Sequence, residues 1–314
     1  MSDGKSWTAD DLADLSGKTI VVTGGNSGIG YEAAIQFARK RARVVLACRN
    51  MEKARAAATG IAAVGPEAAV EAMELDLSSL ASIRSFAEAF KARNPVLHTL
   101  CNNAGVMAIP YCRTADGFEM QFGTNHLGHF ALTGLLLDRL LAAADGARVV
   151  TVSSNAHKMG GIRFDDLQWT RGYRKWRAYG QSKLANLLFA FELQRRIEAA
   201  GAKLISVACH PGYAATNLQA MGPRMEGSSV METLMGLSNR LFAQSGAMGA
   251  LPTLYAAAAP GLRGGEYIGP AGFGEMWGHP KQVECSAAAR DTAAAARLWQ
   301  TSEQLTNVHY PLGS

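Results

Sequence analysis

The chain has 314 residues, of which 48% are hydrophobic and 18% are charged, and its formal net charge is +5. This length can bury a sizeable core, and the composition excludes a disordered chain. The densest basic group lies at 171–177 and is interpreted as a solvated loop, so we expect no nucleic-acid partner.

Cysteine content and the N-terminal residues bear on the cellular compartment. The five cysteines are odd in number, and none forms a Cys-x-x-Cys pair. We therefore expect reduced thiols, no metal site and a cytoplasmic location. The acidic N-terminus is unlike a targeting peptide, and no apolar run is long enough to span a membrane.

Short apolar runs alternate with longer segments of helical pattern. The runs interpreted as strands are Thr19–Thr23, Arg43–Cys48, Leu97–Cys101, Arg148–Ser153 and Lys203–Cys209, with a weaker candidate at Ala69–Leu75. Their near-continuous Val, Ile and Leu content is typical of strands buried on both faces. The pattern predicts an α/β fold, with one Rossmann-type doubly wound parallel sheet, helices on both faces, and residues 1–314 in a single domain.

A glycine-rich turn joins the first predicted strand to the first helix. It contains Gly24, Asn26, Ser27, Gly28, Ile29 and Gly30. Glycines permit a tight turn and close approach to a pyrophosphate, and the N-terminus of the helix offers free N–H groups and a positive dipole. The turn therefore predicts a dinucleotide site.

The residues after the second strand indicate which nicotinamide cofactor is bound. An NAD-specific site needs a carboxylate here for the ribose 2′-OH, whereas this chain has Arg49, followed by Asn50. The guanidinium of Arg49 suits a 2′-phosphate, and Asn26 is placed to assist it. We expect NADP(H) rather than NAD(H), and the alternative is a surface arginine without a ligand.

The series of motifs along the chain resembles the short-chain dehydrogenase/reductase family. The matching motifs are Gly24-x-x-x-Gly28-x-Gly30, Asp76-Leu77, Asn102-Asn103-Ala104-Gly105, Asn125 in Thr-Asn-His-Leu-Gly-His-Phe, Ser153-Ser154, Tyr179-x-x-x-Lys183 and Pro211-Gly212-x-x-x-Thr216. They cover about residues 17–216. The sequences around Arg49, Lys183 and His210 look most like the retinol dehydrogenase-like branch.

This resemblance implies further contacts with the cofactor. Asp76 and Leu77 are expected at the adenine side, Asn103, Ala104 and Gly105 beside the nicotinamide ribose, and Pro211, Gly212 and Thr216 against the nicotinamide ring. Tyr179 and Lys183 are expected to contact the cofactor as well.

Tyr179 and Lys183 are four residues apart on a predicted helix, so they share one face. A free tyrosine has a pKa of about 10, and a neighbouring ammonium and a positive nicotinamide ring both favour its phenolate. The resemblance implies that Tyr179 passes the proton and that Lys183 also holds the ribose. It further implies that Ser154 orients the substrate oxygen, with Ser153 as the alternative, and that Asn125 supports a water-linked proton relay.

Two segments are expected to shape the substrate site. An insertion at about 158–177 carries Phe164, Trp169, Tyr173 and Trp176. The segment at about 217–245 is rich in methionine and leucine and is interpreted as a C-terminal substrate lid, or alternatively as an ordinary core helix. Both compositions favour a large apolar substrate.

The sequence thus predicts an NADP(H)-dependent oxidoreductase that moves a hydride between nicotinamide and a bulky hydrophobic ketone, aldehyde or secondary alcohol. The alternatives are a catalytically silent NADP(H)-sensing protein, which would typically lose the Tyr/Lys pair, and an extended-branch epimerase, which would carry a different glycine turn. The resemblance also implies a homodimer or homotetramer formed through the helices of Asn125 and Tyr179, with a monomer as the alternative. The apolar stripe near Leu187–Leu193 fits such an interface, but packing on the sheet explains it equally well.

Overall fold

The computed structural model describes residues 6–64, 67–213 and 244–312, and their strands form one eight-stranded sheet. The strands are β1 (Thr19–Thr23), β2 (Arg43–Cys48), β3 (Val70–Glu74), β4 (Thr99–Asn102), β5 (Ala147–Val152), β6 (Leu204–Cys209), β7 (Tyr267–Pro270) and β8 (Pro280–Gln282). Their order is β3-β2-β1-β4-β5-β6-β7-β8, and every pair is parallel except β7–β8. The predicted Rossmann-type fold is confirmed.

Helices cover both faces of this sheet. They are α1 (Gly28–Arg39), α2 (Met51–Val64), α3 (Leu80–Arg93), α4 (Met120–Phe122), α5 (Gly128–Leu135), α6 (Leu137–Leu141), α7 (Lys175–Ala199), α8 (Gly246–Ala258) and α9 (Thr292–Thr306). A π-helical turn, Gly123–Leu127, joins α4 to α5.

The continuous apolar runs are explained by packing on both faces of the sheet. Along β1, Val21 packs in the layer that holds α3, α5 and α7, whereas Ile20 and Val22 pack in the layer that holds α1, α2 and α8. Alternate side chains of a strand point to opposite faces, so a strand covered twice must be apolar throughout. Each such side chain contributes roughly 1.5–3 kcal/mol by leaving water.

The sheet differs from the prediction at the start of one central strand and in two strands at one edge. β4 begins at Thr99, two residues later than expected, and the weaker candidate is the edge-side strand β3. The sequence did not indicate β7 and β8. They are short, β7 ends in proline and β8 begins with one, and proline is tolerated at strand ends and sheet edges.

The C-terminal helix α9 packs on α7, on the side away from the sheet. Trp299 of α9 stacks on Phe189 of α7 with ring centres 5.9 Å apart, and Tyr310 lies 4.5 Å from Trp299. The guanidinium of Arg290 lies 4.1 Å from the ring centre of Phe191. The apolar face of α7 is therefore covered by the same chain, while its other side contacts β5 and β6.

Thr216 and residues 217–243 of the expected lid lie outside the described residues, so the lid stays a prediction. Gln244, at the far end of that segment, donates from Nε2 to the main-chain oxygen of Pro211 at 2.6 Å. Within the described ranges, no helix is both long and apolar enough to cross a membrane. The same ranges contain no group of three side chains that could hold a metal ion.

Candidate active site

A cleft of about 930 Å³ opens where the order of the sheet reverses, between the carboxyl ends of β1 and β4. Ligands of doubly wound sheets bind at this position. Of the predicted site residues that the structure describes, all except Asn125 line this cleft. The structure therefore brings together residues that the sequence separates by more than 180 positions, from Gly24 to Gly212.

The glycine turn has the shape that a pyrophosphate requires. Gly24 and Gly28 have φ angles of 65° and 55°, in the left-handed region that favours glycine. A Cβ at Gly30 would lie 2.5 Å from Nδ2 of Asn103, so a side chain there would clash. Ser27, the N-cap residue of α1, makes no side-chain capping bond to the described residues, which leaves N–H groups of the first helical turn available to an anion.

The loop after β4 is fastened to the glycine turn through Thr23. The hydroxyl oxygen of Thr23 accepts hydrogen bonds from the main-chain N–H groups of Asn103 and Ala104, both at 2.9 Å. The side-chain amide of Asn103 donates to the main-chain oxygen of Thr23 at 2.8 Å. Thr23 was not among the predicted site residues, although it stands directly before the first glycine of the motif.

Asn125 lies in the π-helical turn and holds the next part of that loop. Its Nδ2 donates to the oxygen of Val106 and to the hydroxyl of Ser182, both at 2.9 Å, and its Oδ1 accepts from the N–H of Val106 at 2.8 Å. A Cβ at Gly105 would lie 3.0 Å from Oδ1 of Asn125 and 3.6 Å from Nζ of Lys183. Asn125 therefore shapes the wall of the cleft from behind.

Tyr179 and Lys183 face the cleft from successive turns of α7. Lys183 Nζ lies 5.8 Å from the ring centre of Tyr179 and donates to the oxygen of Val152 at 3.1 Å. Burial raises the pKa of Tyr179 to about 12, opposed by its hydrogen bond with Ser154, and burial lowers the pKa of Lys183 to about 8. The expected stabilisation of a phenolate is thus outweighed by burial, and at neutral pH the chain alone holds a phenol beside an ammonium.

The two serines after β5 have different partners. Ser153 donates from its hydroxyl to the main-chain oxygen of Lys183 at 2.8 Å, so it anchors the backbone of α7. Ser154 accepts from the N–H of Ala156 at 3.2 Å and hydrogen-bonds the side chain of Tyr179. Of the two hydroxyls, that of Ser154 is the one associated with the phenol.

Two cations line the end of the cleft near β2. Arg49 follows β2, and Lys53 lies in the first turn of α2, with Asn26 of the glycine turn lining the same cleft. Asn50 fixes the start of this helix by accepting a hydrogen bond from the N–H of Lys53 at 2.9 Å. The sequence analysis did not identify Lys53, because Arg49 precedes α2 and no helical spacing links the two cations.

Residues 211–213 close the opposite end of the cleft. Gly212 has a φ angle of 67°, and a Cβ there would lie 2.5 Å from the main-chain oxygen of Met276. The same oxygen accepts from the N–H of Tyr213 at 2.8 Å, and the N–H of Gly212 donates to Nδ1 of His210 at 3.2 Å. This part of the chain is therefore held by the β7–β8 connection, which sequence reasoning did not assign.

The four aromatic residues of the insertion have different surroundings. Phe164 packs under the guanidinium of Arg297, Trp169 is buried against Arg163, and the hydroxyl of Tyr173 donates to the oxygen of Ile109 at 2.9 Å. Of the four aromatic residues, only Trp176 lines the cleft. Its ring lies edge-on to Tyr179 with centres 6.2 Å apart and remains 43% exposed.

Comparison with known proteins agrees with this geometry. The family model described as short chain dehydrogenase matches residues 18–226. Retinol dehydrogenase 13 of Homo sapiens is 43% identical over 300 residues, which cover 95% of this chain and 87% of the relative. Retinol dehydrogenase 11 of Homo sapiens is 44% identical over 297 residues, which cover 95% of this chain and 88% of that relative.

Solved structures give the same grouping. A crystal structure of an uncharacterized protein from Mycobacterium paratuberculosis superposes with a TM-score of 0.80 at 44% sequence identity. The superposition covers 98% of this chain and 100% of the chain in that structure. A structure described as an NAD(P)-dependent gluconate 5-dehydrogenase from Beutenbergia cavernae, with bound NADP, has a TM-score of 0.61 at 26% identity, covering 81% and 95%.

Proposed function

The chain belongs to the short-chain dehydrogenase family and to its retinol dehydrogenase-like branch, and we propose that it transfers a hydride between NADP(H) and a bulky hydrophobic ketone, aldehyde or secondary alcohol. The observation that carries this proposal is the convergence of Ser154, Tyr179 and Lys183 on one cleft whose far end holds Arg49 and Lys53. The first group suits chemistry at a carbonyl oxygen, and the second suits a phosphate.

The cleft has the features that a dinucleotide needs. The left-handed glycines, the close packing of Gly30 against Asn103 and the N–H groups of the first turn of α1 form a cradle for the pyrophosphate. The main chain of Gly105 lies close to Nζ of Lys183, where the nicotinamide ribose is expected. The bound nicotinamide would supply or accept the hydride.

The side chains of the site would control charge on the substrate oxygen. The hydroxyls of Ser154 and Tyr179 are hydrogen-bonded to each other, so a carbonyl oxygen placed between them would accept from both. In the reduction direction, Tyr179 would donate its proton, because burial keeps the phenol protonated at neutral pH. The ammonium of Lys183 would then stabilise the phenolate that remains.

The choice of NADP(H) is supported by the cations beside β2. The planar guanidinium of Arg49 and the ammonium of Lys53 would both bind the 2′-phosphate. A related structure at 26% identity contains NADP. A 2′-hydroxyl would leave both cations without an anionic partner, so NADH should bind more weakly.

The choice of a bulky apolar substrate is supported by the wall of the cleft. Met107, Met120 and Trp176 line it together with Tyr179, and methionine side chains adapt to varied apolar shapes. The similarity to retinol dehydrogenases agrees with a long apolar alcohol or aldehyde as the substrate.

The test is a titration of the purified protein with NADPH and with NADH, followed by cofactor fluorescence, and then a panel of bulky ketones and aldehydes. We expect tighter binding of NADPH and carbonyl-dependent oxidation of it. Preference for NADH would contradict the role given to Arg49. Tight NADPH binding without turnover of any carbonyl would contradict the proposed reaction and favour a silent sensor.

A further inference from the structure

His129 is a buried histidine that the proposed chemistry leaves without a role. It lies one turn after Asn125 and is 1% exposed. Its Nδ1 lies 3.0 Å from the main-chain oxygen of Asn125, and its Nε2 lies 2.9 Å from the hydroxyl of Thr23. One imidazole therefore spans the distance from the helix behind the cleft to the last residue of β1.

The partners of His129 determine its tautomer. A carbonyl oxygen can only accept a hydrogen bond, so Nδ1 must carry the proton that faces Asn125. Nε2 is then an acceptor, and the hydroxyl of Thr23 donates to it at 2.9 Å, a shorter contact than the 3.2 Å to the oxygen of Cys101. Burial lowers the pKa of His129 to about 4, so the ring is neutral near pH 7.

The same hydroxyl links His129 to the cofactor loops. With its proton directed at Nε2, the oxygen of Thr23 is left to accept from the N–H groups of Asn103 and Ala104. Gly24, the first glycine of the turn, follows Thr23 directly. One hydrogen-bonded series thus runs from the main chain of Asn125 through His129 to both loops that the cofactor is expected to contact.

We propose that His129 is a positioning residue, a neutral bridge that sets the distance between the helix of Asn125 and the cofactor loops at Thr23 and Asn103. The proposal rests on the proposed function, because the geometry it maintains is that of the nicotinamide site. Loss of the bridge would let these loops shift relative to Tyr179 and Lys183. Displacements of about 1 Å in such sites cost on the order of a hundredfold in rate.

His126 provides a matched control. It lies three residues earlier and is equally buried, but its Nε2 lies 2.9 Å from the hydroxyl of Ser302 on α9, on the side away from the cleft. His126→Phe and His129→Phe therefore each remove one buried imidazole from neighbouring turns of the same helical segment. Only the second removes a link to the cofactor loops.

The experiment compares wild type with His126→Phe, His129→Phe and the conservative His129→Gln, whose amide can still accept from Thr23. We expect His129→Phe to raise the Kd for NADPH about tenfold and to lower kcat by ten- to a hundredfold, with His129→Gln intermediate. His126→Phe should lower the melting temperature but keep Kd and kcat within about twofold. Equal effects of the two phenylalanine variants, or of both His129 variants, would overturn the proposal.

A measurement independent of activity covers the case in which His129→Phe does not fold. Long-range ¹H–¹⁵N spectra of wild-type protein labelled at histidine report which ring nitrogen carries the proton. A neutral ring protonated at Nδ1 is expected for His129, and protonation at Nε2 would overturn the bridge. Wild-type protein that binds neither nicotinamide would instead overturn the proposed function, while leaving the assignment of the tautomer intact.

Discussion

Lys183 and Tyr179 lie on one face of α7, with the ammonium 5.8 Å from the centre of the phenol ring, and burial moves their pKa values in opposite directions. The pKa of the tyrosine rises to about 12 and that of the lysine falls to about 8. In each case burial disfavours the charged form. The pair therefore holds a transferable proton on the tyrosine and a positive charge beside it near pH 7.

Replacing Tyr179 by phenylalanine removes the proton donor but keeps the ring. We expect turnover to fall by at least about a hundredfold, because general acid catalysis contributes 10²–10⁴. The Kd for NADPH should change little. Tyr173→Phe is a suitable control, since the hydroxyl of Tyr173 bonds the main chain of Ile109 and does not line the cleft. Near-normal turnover by Tyr179→Phe in steady-state assays would contradict the proposed mechanism.

Replacing Lys183 by methionine tests the cost of burying its charge. Between about pH 8 and 10.5 the unfolded chain binds a proton that the folded chain has released, so the free energy of unfolding gains a positive slope with pH. Relative to Lys183→Met, wild type should become more stable across this window, by about 3 kcal/mol for a shift of this size.

Urea unfolding of both proteins from pH 7.5 to 10.5 measures this difference. Burial also raises the pKa of Cys48 to about 11, which gives an opposite slope above pH 9, but that contribution is common to both proteins and cancels. A difference in stability that does not vary with pH would show that Lys183 titrates normally.

Replacing Arg49 or Lys53 by alanine tests the phosphate end of the cleft. Each should weaken NADPH binding about ten- to a hundredfold and leave NADH binding nearly unchanged, because a hydrogen bond to a charged group contributes about 1.5–3 kcal/mol. Arg55→Ala is the matched control, since Arg55 is an exposed cation of the same helix that does not line the cleft. Calorimetric titration with both cofactors checks the prediction. Equal losses for NADPH and NADH would argue against contact with the 2′-phosphate.

Replacing Trp176 by alanine tests the substrate wall. The ring lies edge-on to Tyr179 at the cleft, so its loss should raise the KM for a bulky aromatic ketone by about tenfold or more, as expected for lost apolar contact. A small aliphatic carbonyl should be little affected. Trp169→Phe is a control within the insertion, because Trp169 is buried away from the cleft. An equal rise in KM for both substrates would indicate general disturbance of α7.

The strands that the sequence predicted correctly are those whose own residues form an unbroken apolar run. In β1, β2 and β6 every residue after the first or second is buried, so an unbroken apolar run predicts both position and type. In contrast, β7 and β8 are formed by pairing at the sheet edge, and their own residues include proline and glycine. A segment of three or four residues that contains proline or glycine shows no pattern in the sequence that would predict a strand.

The sequence predicted those site residues that belong to a motif at a known place in the fold. It did not predict features that depend on contacts between side chains far from the motifs. The turn at Gly24 and the Tyr179/Lys183 pair lie at strand and helix positions that the sequence order fixes. Whether Trp169 or Trp176 faces the cleft depends instead on contacts such as that of Arg163 with Trp169. The pKa of Tyr179 likewise depends on how deeply α7 is buried, which spacing along the chain does not indicate.

Because α9 covers α7 within one chain, the packing of these two helices should not depend on protein concentration. Because Trp299 and Tyr310 reach Phe189 within one chain, this face contributes to folding as an intramolecular contact. Its contribution carries no loss of translational freedom and does not change with protein concentration, unlike that of an interface between subunits. A nanomolar sample should keep this half of the core as well packed as a concentrated one.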